Sequence, residues 1–258
     1  MNQQLAHAAR KLRLSGLLST LDMRIQEATT HALPHEQFLE LLLQDEINTR
    51  GQRLIEKRRK DASFRDIKTL EDFDWTFNTG LKRQQLYQLA TCSFIREHRD
   101  LLFLGPPGLG KSHLAQALGL QAIKAGFAVL YRSIFDLVRN LQAERSPAEL
   151  DRILERHLKV DLLIIDDMGL KTLPPKAGEI LLELIMRRYE NRSTLMTSNR
   201  PIEEWGKLFN DVPAATAILD RFLHHAEVIQ FAGKSYRLDR AARAQRISGL
   251  KAGENDGV

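Results

Sequence analysis

One eight-residue segment restricts the possible folds of this chain more than any other. Gly105-Pro106-Pro107-Gly108-Leu109-Gly110-Lys111-Ser112 matches the pattern of a glycine, four variable residues and Gly-Lys-Ser. It sits between an apolar run at 101–104 and a helical pattern that begins near His113. Such a loop needs that context. Its glycines let backbone N–H groups curl around phosphate oxygens, and the following helix adds the positive end of its dipole. The expected phosphate cradle is Gly105, Pro107, Gly108, Leu109, Gly110, Lys111, Ser112 and His113. Lys111 is expected to reach the β- and γ-phosphates of ATP, and the Ser112 hydroxyl to ligate Mg²⁺.

Four more short apolar runs, at 128–131, 162–165, 194–197 and 227–231, follow the first with helical stretches between most of them. Continuous apolar runs of this length suit parallel strands buried on both faces, so the pattern predicts an α/β fold, helices on either side of a parallel sheet. The run Leu162-Leu163-Ile164-Ile165 ends in Asp166-Asp167. A buried strand that delivers carboxylates at its C-terminal edge can hold Mg²⁺ through Asp166 and polarise an attacking water through Asp167. A plain turn is the alternative, because Asp-Asp-Met-Gly is good turn chemistry. The run ending Thr197-Ser198-Asn199 supplies Asn199 as a candidate to orient water or sense the γ-phosphate. Arg221 lies near the end of a helical stretch, where an arginine is ordinarily an exposed salt-bridge partner.

The N-terminal region reads differently. Leu14, Leu17, Leu18, Leu21 and Ile25 form one amphipathic stripe, and Phe38, Leu39, Leu42, Leu43 and Ile47 form a second after Pro34. The second stripe runs into Arg50, Arg53 and the basic series Lys57, Arg58, Arg59 and Lys60. For a chain of 258 residues these patterns predict a helical DNA-binding or assembly domain at 1–68, a linker at 69–80, and an ATPase domain at 81–248. Extra helices are expected at 134–159, the later one opened by a capping box at Ser146 and Glu149, and a polar tail at 249–258.

The net charge of +5 is unevenly placed. Residues 50–68 hold eight basic and three acidic side chains, and residues 234–251 hold six basic and one acidic. Two basic segments around a nucleotide site point to nucleic acid, although a solvated helix face is the bland reading of either one. The single cysteine, Cys92, excludes an intrachain disulfide and suits a reducing cytosol. With no apolar signal region and no run long enough to span a bilayer, the sequence predicts a soluble cytoplasmic protein. His113, His224 and His225 have no cysteine or histidine partners at metal-ligand spacing, so no structural metal is expected.

Taken in order, the P-loop, Asp166-Asp167, Thr197-Ser198-Asn199 and Leu219-Asp220-Arg221 resemble the AAA+ ATPases of the initiator and helicase-loader branch. Within that branch, residues 10–248 resemble the IstB-like ATPases of insertion-sequence transposition. The pieces that carry this likeness are Lys11 to Leu17, Lys68 to Asp74 and Gly233 to Leu238. The resemblance implies a three-layer P-loop NTPase domain preceded by a small all-α domain. It makes Lys111 and Ser112 the Walker A pair, Asp166 the Walker B magnesium ligand and Asn199 sensor 1. Arg221 becomes an arginine finger acting in trans on the next subunit, and Arg237 a second phosphate sensor. One departure is Asp167, where the family usually has the longer glutamate. The resemblance also implies a homo-oligomer with ATP at subunit interfaces, bound to duplex DNA that it bends and presents to a transposase. Lys57, Arg58, Arg59, Lys60, Arg139, Arg145 and Arg152 are the candidate DNA contacts. A DnaC-type helicase loader would share every ATPase motif and differ in its N-terminal partner. A small-molecule P-loop kinase would not need Arg221.

Overall fold

The computed structural model describes residues 3–78, 80–143 and 146–240, so Arg145 and the tail at 249–258 lie outside the described residues. The chain divides into two compact units, Met1–Arg58 and Arg59–Val258.

The first unit is helical. It holds α1 (Gln3–Lys11), α2 (Ser15–His31) and most of α3 (His35–Ala62), whose last residues belong to the second unit. Leu17, Leu21 and Leu42 form its buried cluster, with Leu14 and Phe38 packed against them. Leu18 is half-buried, and the remaining stripe residues Ile25, Leu39, Leu43 and Ile47 are exposed. Gly16 marks the close crossing of α2 and α3, since a Cβ there would stand 2.6 Å from the Thr49 Cβ. Leu14, which precedes α2, offers no side-chain cap. Glu46 of α3 does that work: its Oε2 accepts the Gly16 and Leu17 N–H groups at 2.7 and 3.0 Å. Arg50 donates to the other oxygen of Glu46 at 2.7 Å, and Arg24 grips Asp45 through two bonds of 2.8 and 2.9 Å.

The second unit is built on five parallel strands: β1 (Asp100–Leu104), β2 (Val129–Ser133), β3 (Leu162–Met168), β4 (Ser193–Ser198) and β5 (Ala226–Gln230). Their spatial order is β2-β3-β4-β1-β5. Each expected apolar run is a strand. β1 and β4 are buried at every residue, as a central parallel strand must be, while the edge strand β5 is half open. Alternate side chains serve opposite faces. Leu102, Leu163, Ile165 and Met196 join a core with Trp205 and Phe222, packed by α7 (Ile134–Gln142), α9 (Ala177–Arg188), α10 (Trp205–Phe209) and α11 (Val212–His224). The other face receives α6 (Lys111–Lys124), where a Cβ on Gly119 would stand 2.8 Å from Ile164. Two short helices, α4 (Arg83–Leu89) and α5 (Ser93–Arg96), precede β1. The expected extra helices are α7 and α8 (Pro147–Lys159), and α8 opens with the capping box of Ser146 and Glu149.

The segment expected to be a linker lies within the second unit. Within it Phe73 meets His113 edge-on at 5.3 Å, and just before it Phe64 packs on Tyr131 and Gln116 accepts the Asp66 N–H at 3.2 Å. Acidic and aromatic residues look like a solvated connection in sequence, but the Phe73 ring finds a partner on α6, while Asp72 and Asp74 accept hydrogen bonds from Thr69 and Thr76 within the segment.

Parallel strands put all their C-terminal ends on one edge, where α/β folds bind ligands. With β4 between β1 and β3, that edge brings together the P-loop after β1, Asp166-Asp167 at the end of β3, and Asn199 just past β4. No helix among the described residues is long and apolar enough to cross a membrane.

Candidate nucleotide site

The P-loop takes the backbone conformations that its glycines allow. Gly110, at φ +90°, opens α6, and a Cβ there would meet the Phe73 ring at 2.4 Å. Gly108, at φ +83°, lies against Ser235, whose Oγ would be 2.1 Å from an added Cβ. Larger residues fit neither position, by sterics and by φ.

Lys111 is 5% exposed, and its Nζ donates to the carbonyls of Gly105 and Pro106 at 2.6 and 2.7 Å and to Asn199 Oδ1 at 2.7 Å. Burial pulls its pKa down to about 8, against the upward pull of Asp166. The Ser112 Oγ donates to Asp166 Oδ1 at 2.9 Å. Asp166 is fully buried and also accepts hydrogen bonds from the hydroxyls of Thr197 and Tyr131. A hydroxyl and a carboxylate side by side at the foot of a phosphate cradle are hard oxygen donors of the kind Mg²⁺ takes, so the residues fit that ion.

Asp167 behaves differently from its neighbour. A register shift between Ile165 and Met168 interrupts the β3–β4 ladder, and Asp167 adopts φ +67°. Its Oδ2 lies 2.7 Å from Arg65 Nη2. Burial and then Asp166 push the Asp167 carboxyl upward, while Arg65 opposes them.

A cavity of about 430 Å³ opens over these groups, bordered by Pro107, Leu109, His113, Asp167, Asn199 and Arg237 among others. His113 Nε2 lies 2.8 Å from the Thr69 carbonyl oxygen, which turns its ring toward Phe73. Phe73 and Phe77 line the cavity, and Phe77 stacks edge-on with Tyr236 at 5.1 Å. Trp75 instead donates to the Leu70 carbonyl and packs against Phe73 and Tyr87.

The structure thus gathers Lys111, Ser112, Asp166, Asp167, Asn199 and Arg237 around one site. It does not bring Arg221 there. Arg221 is exposed on α11, its guanidinium 5.6 Å from the Tyr189 ring centroid. The basic candidates are also spread out. Arg139 pairs with Asp136 on α7, and Arg152 is exposed on α8. Arg50, Arg53 and Arg65 of the first basic segment are engaged by Glu46, Ser15 and Asp167. Three site residues escaped sequence reasoning: Tyr131, Thr197 and Arg65. Thr197 was within reach, because it stands two positions before Asn199 on a strand flanking β3. Nothing local marks Tyr131 or Arg65.

The parallel sheet, its strand order and the buried Lys111 and Asp166 at its C-terminal edge define a P-loop nucleotide-binding protein of the AAA+ fold. The chain belongs to the family of IstB-like ATP binding proteins, which matches residues 7–244. It is 37% identical to the IS21 insertion-sequence ATP-binding protein of Pseudomonas aeruginosa, over 91% of this chain and 88% of that one. With the IS5376 insertion-sequence ATP-binding protein of Geobacillus stearothermophilus it shares 35% identity, over 92% and 95%. Among solved structures, DnaI superposes with a TM-score of 0.55 at 22% identity, covering 67% of this chain and 94% of DnaI. AMPPCP-bound DnaA from Aquifex aeolicus gives 0.53 at 19% identity, covering 66% and 51%. Those two likenesses concern the fold.

Proposed function

We propose that this protein is an ATP-switched DNA-binding ATPase that assembles on duplex DNA, selects target sites and regulates the transposase of an insertion sequence. Family membership over nearly the whole chain supports the ATPase core. In this reading Lys111 exchanges its carbonyl and Asn199 partners for the β- and γ-phosphates of ATP. Ser112 and Asp166 would hold Mg²⁺, which supplies charge neutralisation on the same phosphates. Asn199 orients the attacking water, and Asp167 polarises it. The water oxygen bonds to the γ-phosphorus, the bond to the β–γ bridging oxygen breaks, and ADP and phosphate leave. Arg65 is a positioning residue that holds Asp167 at the mouth of the site. The shorter acid and this ion pair both favour slow turnover, which suits a timed switch. Arg237, which lines the cavity, senses the phosphates.

The observation that carries the assembled form is the placement of Arg221. It is exposed and is not among the residues lining the cavity of its own chain, so a role on ATP requires a neighbouring copy. DNA would be held through phosphates by Lys57, Arg58, Arg59, Lys60, Arg139 and Arg152, without base readout and with strong salt dependence. Arg221→Ala and Asp167→Ala are each expected to be inactive as pure proteins. Mixed together they should regain ATPase activity through hybrid interfaces that join an intact Arg221 to an intact Asp167. A mixture as inactive as its parts would refute hydrolysis in trans.

A further inference from the structure

Outside the nucleotide site, one group of three metal-ligating side chains converges among the described residues. Glu190, His224 and His225 each offer a ligand atom, and these atoms lie within 4.8 Å of one another. No spacing motif marks the group, because Glu190 follows α9 and the two histidines close α11, with 35 positions separating Glu190 from His225.

Local structure explains how they meet. Consecutive side chains on a helix diverge by about 100°. Here α11 stops at His224, and His225 turns out of the helix at φ −120°, ψ 10°. The two imidazoles then stand 4.1 Å apart between centroids at 56°. Glu190 adopts φ +57°, a conformation a non-glycine residue takes rarely, and its Oε1 lies 3.0 Å from His225 Nε2. The Tyr189 hydroxyl lies 2.6 Å from His224 Nδ1, which holds that ring in place.

We propose that Glu190, His224 and His225 form a binding site for a divalent transition-metal ion of the zinc class. Two imidazoles and one carboxylate suit zinc, cobalt, nickel or copper, whereas Mg²⁺ and Ca²⁺ prefer oxygen alone. A tetrahedral ion sets its ligand atoms about 3.4 Å apart, at bond lengths of about 2.1 Å. The observed distances, from 3.0 Å between His225 Nε2 and Glu190 Oε1 up to 4.8 Å, bracket that value, and the side chains are exposed or partly so. Three protein ligands leave the fourth position to water or to a group from another molecule. The site stands apart from the nucleotide pocket and does not depend on the role given to Arg221.

The test uses the full-length, untagged protein stripped with chelator. Co²⁺ is titrated by visible absorption and Zn²⁺ by calorimetry, without nucleotide. Wild type should bind one more equivalent than the double variant His224→Ala/His225→Ala, and the cobalt ligand-field band should vanish with that equivalent. Glu190→Gln should weaken Zn²⁺ binding by about tenfold or more. His98→Ala, an exposed histidine elsewhere, should change nothing. Any ion held by Ser112 and Asp166 survives in every variant and drops out of the difference. The proposal falls if wild type binds no ion, if the double variant keeps wild-type stoichiometry and affinity, or if His98→Ala loses as much.

Discussion

The two units of the chain solve the problem of staying folded in different ways. Among the described residues the first gathers Leu17, Leu21 and Leu42 into a small buried cluster and leaves Leu39 54% and Ile47 61% exposed. Polar locks make up the difference, with Glu46 capping α2 and Arg24 clamped on Asp45. The second buries whole strands between layers of helices, and it can therefore hold Lys111 and Asp166 out of water with every partner satisfied. Deep burial makes a lysine expensive to desolvate and also fixes it in place, which a phosphate site requires. A unit with a three-leucine centre offers a surface and little precision.

The sharpest way to break this contrast is to damage each unit at its own key point. Lys111→Ala should lower ATP turnover on the order of a hundredfold or more while both units keep their melting behaviour, because the surrounding sheet does not depend on that side chain. A phosphate-release assay and a thermal melt check both halves of the statement. Retained turnover would remove the P-loop from the site.

Leu21→Ala should do the opposite. Truncating a core leucine costs about 2–5 kcal/mol. A helical unit of this size commonly holds only about 3–9 kcal/mol in total. The first unit should therefore lose most of its amide-exchange protection while the second unit and its nucleotide affinity stay intact. Protection in α2 and α3 equal to wild type would show that the first unit has more support than its own core provides.

The smallest effect is expected from acid. Hydrogen bonds from Arg24 and then Thr20 hold the Asp45 carboxyl down to about 2. A carboxylate lowered on folding contributes stability that is complete above its unfolded pKa of about 4 and is lost as the pH falls toward the folded value. Acidification from about pH 4 to pH 2 should thus loosen α2 and α3 through this group. Asp167 has the opposite sign, since its pKa is raised, and its protonation in acid relieves the fold. Amide exchange across this range should show α2 and α3 opening first in wild type, and Asp45→Asn should reduce that pH dependence. An acid response unchanged by the substitution would shift the lock to Glu46 alone.

How far the sequence reads depends on whether a feature is local. The P-loop, the five strands, the capping box of α8 and the Asp166 and Asn199 positions are all encoded within a few consecutive residues. Periodicity and turn chemistry act over that range, so these features were legible without coordinates. Arg65 on Asp167, Tyr131 on Asp166 and Glu46 capping α2 are each an ordinary residue at an unremarked position, whereas Thr197 on Asp166 sits inside a motif read for Asn199 alone. Their roles appear only when folding closes contacts about 30 or more positions apart. The same holds for Glu190, His224 and His225, where a helix end and a left-handed turn bring the ligands together. Local patterns decide which elements form, because backbone preference and amphipathicity are short-range. Which side chains share a site is decided by the packing of those elements, and here that alone placed Arg65 over Asp167 and set Arg221 outside the cavity of its own chain.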